Sequence, residues 1–236
     1  MPVQYQVMRK LLTLSLYISI SLLIVACEGA NEPTATPVPT ATITPAPVAK
    51  SIKANLQGVQ INMRVPSGWT GRRMDDGIFL AEQRSSIHNT GKLMGMQVFI
   101  FVHAVDDFPR PINSESHPAR RILQQIISQP NIVGDSAVSD PQPFIWDGND
   151  AAYYLLNDTH ENVSLVMAVV LDNESQLVAI NISCPSSRAA AIREALPELL
   201  ADLWVNGALM SVSGVEALPD PLVFPTKSNA EETDTP

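Results

Sequence analysis

Four histidines, two cysteines and a few acidic turns are the groups in this chain with the means to do chemistry. A zinc site needs His, Cys or carboxylate ligands at short, fixed spacings. His88, His103, His117 and His160 form no HxH, HExxH or Cys/His pattern. His103 stands close to Asp106 and Asp107. That set has the residue types of a cation site, but the simpler reading is a solvated strand end. His160 and Glu161 read as a polar hairpin turn. Asp147-Gly148-Asn149-Asp150 has residue types suited to calcium. A calcium loop, however, spaces its acids over about 12 residues and closes on a bidentate glutamate. That glutamate is missing, so the stretch reads as a turn. No nucleophile elbow, Ser-x-x-Lys pair or phosphate-cradling glycine loop occurs. Cys184, in "VAINISCP", reads as a buried, inert thiol. Trp69, Trp146 and Trp204 read as core or rim aromatics ahead of a carbohydrate platform. The expectation is no catalytic residue, no cofactor and no metal ligand, and hence a protein that is not an enzyme.

The remaining reactive group is Cys27. Arg9 and Lys10 are the only charged side chains before it, and Leu11 to Ala26 is a mostly apolar run. That run is shorter than the ~20 apolar residues of a membrane span. A basic start, an apolar middle and a small residue before a cut are the parts of a secretory signal. Ile24-Val25-Ala26-Cys27 resembles the lipobox of bacterial lipoproteins, in which the cysteine thiol is acylated and the chain is cut before it. The resemblance implies a signal peptide over residues 1–26 and a lipid anchor on Cys27; the other reading of the segment is an uncleaved N-terminal anchor helix in which the cysteine is accidental. It places the chain on the extracytoplasmic face of a bacterial membrane. Each buried acyl CH₂ contributes about 0.8 kcal/mol, and one chain alone holds a protein only marginally. The resemblance implies more than one chain on the cysteine.

Residues 27–50 then read as the lipidated cysteine and a linker. Pro33 to Ala49 holds five prolines and five threonines. Proline fixes φ near the polyproline II value, and the tract has no apolar periodicity with which to build a core. It reads as a stiff spacer between bilayer and domain. The signal segment carries two of the 15 basic residues and none of the 24 acidic ones, which leaves 13 against 24 and a net charge of −11. Such a chain has no basic face for nucleic acid or anionic lipid. With Cys27 acylated, Cys184 has no partner, which excludes a disulfide framework.

Residues 51–212 read as one domain. Val59 to Val65 alternates Val, Ile, Met and Val on one face, as a half-buried strand does. Pro66-Ser67-Gly68 reads as a turn into a strand at Trp69. Asp75-Asp76-Gly77 reads as a hairpin turn, on the ground that Asp-Gly favours positive φ. Strands follow at Ile78 to Glu82 and at Gly95 to Val105, the latter apolar enough to be central. Ser116 to Gln129 reads as a helix capped by Ser116, with Pro118 in its first turn and Pro130 as its stop. Strands are expected at Ala137 to Ile145, Ala151 to Leu156, Val163 to Leu171 and Gln176 to Ser183. A last helix starts near Ser186 and runs through Trp204, kinked or restarted at Pro197. The hairpin-dominated order gives an α+β fold. Its antiparallel sheet has about seven or eight strands and is flanked by two helices. Residues 213–236, rich in proline and acid, read as a disordered tail, with "PLVFP" as its one apolar patch and the stretch suited to packing back on the domain.

Two stretches carry a further resemblance. "INMRVPSGWTGRRMDDGIFLAEQ" is an apolar strand running into Pro-x-Gly-Trp and a glycine hairpin. "QLVAINISCP" is a last strand followed by the proline-containing helix "IREALPELLADLW". This pattern resembles PsbP-like and DcrB-like domains. The resemblance implies an α/β/α sandwich around an antiparallel sheet. Members include an extrinsic photosystem II subunit, a Ran-binding protein and bacterial lipoproteins, with no shared catalytic residues. The expected function is a membrane-anchored lipoprotein with a non-enzymatic accessory or protein-binding domain. The alternative is a small-ligand receptor, or a hydrolase with a dispersed site. The expected partners are the membrane, through the lipid, and a protein.

Overall fold

Short strands joined by tight turns follow one another from Ser51. The computed structural model describes residues 50–82, 91–108, 117–171 and 175–226. Cys27, the Thr/Pro tract, His88 and Ser116 lie outside the described residues. β1 (Ser51–Leu56) and β2 (Val59–Arg64) form a hairpin, and β3 (Trp69–Arg73), β4 (Gly77–Glu82) and β5 (Gln97–Ala104) follow. Helix α1 (Pro118–Ile127) and a short turn, α2 (Pro130–Val133), lead to β6 (Ala137–Val138), β7 (Gln142–Trp146) and β8 (Asn149–Asn157). Then come β9 (Asn162–Val170), β10 (Gln176–Pro185), α3 (Ala189–Leu200), β11 (Trp204–Val205), β12 (Ala208–Leu209) and α4 (Ser213–Glu216).

The fold is α+β and its sheets are antiparallel, as expected. Eight strands make the large sheet, in the order β3-β4-β5-β10-β9-β8-β6, with β7 also pairing to β8. A second sheet of four strands, β1-β2-β11-β12, was not foreseen. It packs on one face of the large sheet together with α3. Ile61 and Met63 of β2 and Ile192, Leu196 and Leu199 of α3 meet Ile100, Leu165, Met167 and Ile180 there. The opposite face carries Ala152, Tyr154, Ala168, Val170 and Leu177, covered by Ala119, Ile122 and Leu123 of α1. Both sets come from the same strands at alternate positions, which is why β8, β9 and β10 read as apolar throughout. Each fully buried Leu or Ile stabilises by about 1.5–3 kcal/mol.

Turn chemistry sets the hairpins, though not always for the anticipated reason. Asp147 (φ 49°) and Gly148 (φ 83°) both take positive φ, as a two-residue hairpin turn requires. Gly77 does not. A Cβ there would stand 2.4 Å from the Ile100 carbonyl oxygen, so glycine permits the close approach of β5. Trp69 begins its strand after a turn closed by its N–H donating to the Pro66 carbonyl at 3.2 Å. Its ring is half-buried against the larger core.

Several boundaries shift. Ser51–Leu56 is a strand that the sequence reading omitted, and Ala137–Trp146 is two strands, separated around Pro141. Trp204 leaves the helix stripe and enters β11, because Asn206-Gly207 turns the chain back into β12 (φ 51° and 80°). Pro197 lies inside α3, on its exposed side, and the helix continues to Leu200. Residues buried on the other side hold it. The largest correction concerns the tail. Residues 213–226 are not a disordered segment: α4 forms, and Val215, Leu218 and Leu222 are buried in the main core. Phe224 packs against that core, and the Pro225 carbonyl accepts from Asn157 Nδ2 at 3.2 Å. Residues 227–236 lie outside the described residues.

Candidate functional site

The ionisable residues singled out above are dispersed over the fold. Among the described residues no three His, Cys, Asp or Glu side chains converge as metal ligands would. His117 Nδ1 lies 2.9 Å from Asp150 Oδ1, and Asp150 Oδ2 accepts the Ala119 N–H at 2.7 Å. The Asp150 carboxylate thus clamps the N-terminus of α1 onto the start of β8. A negative charge is favourable there because the first N–H groups of a helix lack intrahelical partners. Asp147, the other acid of that turn, accepts the backbone N–H of Ser211. Both carboxylates of the calcium-like stretch therefore hold chain segments in place. His160 sits in the β8–β9 turn, beside Thr159 and Gly91.

Cys184 is buried, and its thiol faces the carbonyls of Pro185 and Arg188, each at 3.4 Å. Burial pushes the thiol up to about 11. The thiolate is the nucleophilic form, so this is an inert position. Nearby, Arg188 donates twice to Glu82, at 2.6 and 2.8 Å, and Met96 N–H donates to the same carboxylate at 2.9 Å. The Arg188 hydrogen bonds hold the Glu82 carboxyl below its ordinary range. This ties the end of β4 to the turn between β10 and α3.

His103 belongs to a different arrangement. On β5, Val98, Ile100 and Val102 point into the main core, so Phe99, Phe101 and His103 share the opposite face. Phe79 of β4 is the register partner of Phe99, and their ring centroids lie 4.7 Å apart. Phe99 stacks on Phe101 at 5.8 Å with planes 2° apart. Phe101 meets His103 at 6.3 Å, and Phe108 meets His103 edge-on at 6.1 Å. At the other end the Arg72 guanidinium lies 5.1 Å from the Phe79 centroid. The result is one continuous row, Arg72–Phe79–Phe99–Phe101–His103–Phe108, with every ring half-buried. Helix α1 covers β8 and β9 on this side of the sheet. Among the described residues the main strand contacts of α1 are with β8 and β9, away from β4 and β5.

Burial pushes the His103 imidazole below its ordinary value, and the Asp107 and Asp76 carboxylates oppose this only in part. The ring is therefore neutral near pH 7 and behaves as a fifth aromatic with a polar edge. Aromatic side chains in offset or edge-on contact offer a large, rigid apolar surface at low entropic cost. That is docking chemistry rather than proton transfer.

No protein-family model matches this chain, and no curated protein matches it. Among solved structures the chain is similar to the Ran-binding protein Mog1p of Saccharomyces cerevisiae. The identity is 14% and the TM-score 0.43, over 70% of this chain and 100% of that one. It is also similar to cyanobacterial PsbP (CyanoP) from Synechocystis sp. PCC 6803. There the identity is 11% and the TM-score 0.44, over 70% of this chain and 98% of that one. These are two of the kinds of protein that the Pro-x-Gly-Trp pattern resembles. Both scores lie below 0.5, and no residue here takes a role from either protein.

The aromatic row escaped the sequence reading, which took Gly95 to Val105 as a central strand only. The signal was present in "VFIFVH". Rings at every second position, with β-branched residues between them, put all the rings on one face.

Proposed function

We propose that this chain is a lipid-anchored, extracytoplasmic accessory protein. Its folded domain docks a protein partner through the aromatic row on β4 and β5. The observation that carries the reading is the row itself: five half-buried rings in mutual contact on a sheet face that α1 leaves uncovered. Interface anchors are enriched in aromatics and Arg, and Arg72 lies against the Phe79 end of the row. The tether follows from Cys27 and from the Pro33–Ala49 tract, long enough to hold a domain up to ~50 Å from a bilayer at ~3.1 Å per residue.

Two experiments test the two halves. Cys27→Ser should give an uncut, unacylated precursor, read by mass spectrometry as a heavier chain that keeps residues 1–26 and carries no acyl groups. A mature mass in that mutant would sink the anchor. For the docking half, the wild-type chain is purified from solubilised membranes of its own host with whatever it holds. Phe101→Ser and, separately, His103→Ala should reduce recovery of a co-purifying protein by about tenfold or more. Lys53→Gln, on the other sheet, should not. Melting temperatures of all variants check that the fold persists. Undiminished recovery in both row variants overturns the docking surface.

A further inference from the structure

The outward face of the small sheet carries a second surface, independent of the aromatic row. Its strands pair so that Lys53 of β1, Asn62 of β2, Trp204 of β11 and Leu209 of β12 stand in one cross-strand row. The next row holds Asn55 and Gln60, closed by Asn206, whose side chain accepts the Gln60 N–H at 2.9 Å. Between these rows lies a groove of about 380 Å³ lined by Lys53, Asn55, Gln60, Asn62, Trp204 and Gly207. Its size falls in the range of about 300–1,000 Å³ of small-molecule sites.

The lining has a distinct chemistry. Trp204 is 40% exposed although it is the largest side chain type available for burial. The polar side chains around it are three primary amides and one ammonium, with Ala54 and Ile61 completing the lining. No acidic residue lines the groove, in a chain with 24 acidic against 15 basic residues. Arg64, the other cation on this face, is spoken for by Asp202 at 2.8 Å. The Asn62 side-chain oxygen is buried with no hydrogen-bond partner, an arrangement that costs stability unless a donor is supplied.

We propose that this groove binds a carboxylated saccharide. A sugar ring presents an apolar C–H face that stacks on an exposed indole, as amphipathic rings do where one side is wet. Its hydroxyl and acetamido groups are both donors and acceptors, matching the amides of Asn55, Gln60 and Asn62. Lys53 sets the charge: an unopposed ammonium beside the ring selects a carboxylate. A nucleotide or an anionic lipid surface would require several cations, and the groove has one.

The test uses the full chain and two defined probes, a hyaluronan tetrasaccharide, which alternates glucuronate with N-acetylglucosamine, and neutral chitotetraose. Calorimetric titration should give a Kd of about 1 mM or lower for the acidic probe and about tenfold weaker binding for the neutral one. Trp204→Ala should abolish binding of both. Lys53→Gln should equalise the two while leaving the melting temperature unchanged. Phe101→Ser should leave saccharide binding intact, which separates this site from the docking row. No heat with either probe overturns the proposal, as does binding that survives Trp204→Ala, or an acid preference that survives Lys53→Gln.

Discussion

A chain ending at Val212 should lose most of its stability, whereas one ending at Thr226 should keep it. Composition alone argues the reverse, because residues 213–236 are rich in proline and acid. In the folded domain Val215 is 0% exposed, Leu218 3% and Leu222 9%. Burying each such side chain is worth about 1.5–3 kcal/mol, so the three together contribute roughly 5 kcal/mol or more. A domain of this size has a total of about 5–15 kcal/mol. Ending at Val212 also removes the Pro225 carbonyl that accepts from Asn157, and strips Gly214 and Val215 from the side of Trp146. Urea unfolding of chains spanning 50–212 and 50–226 compares the two directly. The shorter chain should be unfolded or nearly so in buffer, and the longer one should match a chain carried through to Pro236. Coincident midpoints for 50–212 and 50–226 would mean that the tail's burial contributes nothing.

The reach of sequence reasoning in this chain follows the strength of local periodicity. β9 and β10 were legible because their apolar residues are dense and their turns short. α1 was legible from Ile122, Leu123, Ile126 and Ile127 on one stripe. β1 was passed over although Ile52, Ala54 and Leu56 alternate with Ser51, Lys53 and Asn55 as a half-buried strand does. The signal was local: Gln57-Gly58, both at positive φ, turn β1 straight into β2. The tail fails for a sharper reason. Val215, Leu218 and Leu222 are spaced three and four apart, but Pro219 and Pro221 interrupt that stripe, so it does not read as a helix. Contacts with residues some 65 positions away hold the segment, including Trp146 Nε1–H donating to the Ser211 carbonyl at 2.8 Å. The aromatic row was half-legible, since one strand shows its rings and the partner ring Phe79 requires register. The groove was not legible at all, because Asn62 and Trp204 become neighbours only through the pairing of β2 with β11.

Replacing Trp146 and Gly214 should reveal how tightly that distant contact is fitted. Trp146 is 0% exposed, and a Cβ built on Gly214 would stand 2.1 Å from its Cδ1 and 2.6 Å from both Cγ and Nε1. Gly214 sits in α4 without positive φ. Its glycine is therefore required by the indole ring and not by the backbone. Trp146→Ala should cost about 3–5 kcal/mol through the cavity it opens. Gly214→Ala should cost about 1–3 kcal/mol by overpacking, because neither α4 nor the ring has room to move without disturbing the core. The double variant should cost less than the two singles together, by about 1–3 kcal/mol, since removing the ring removes the clash. Trp146→Phe gives the intermediate case: most of the volume stays, the Nε1–H bond to Ser211 is lost, and the expected cost is about 1–3 kcal/mol. Urea midpoints of the wild type, the two singles and the double variant close the cycle. Additivity within about 0.5 kcal/mol would show that α4 shifts away freely when crowded. The tail would then be a loosely seated strap, and the large loss expected on cutting at Val212 would have to come from Leu218 and Leu222 alone.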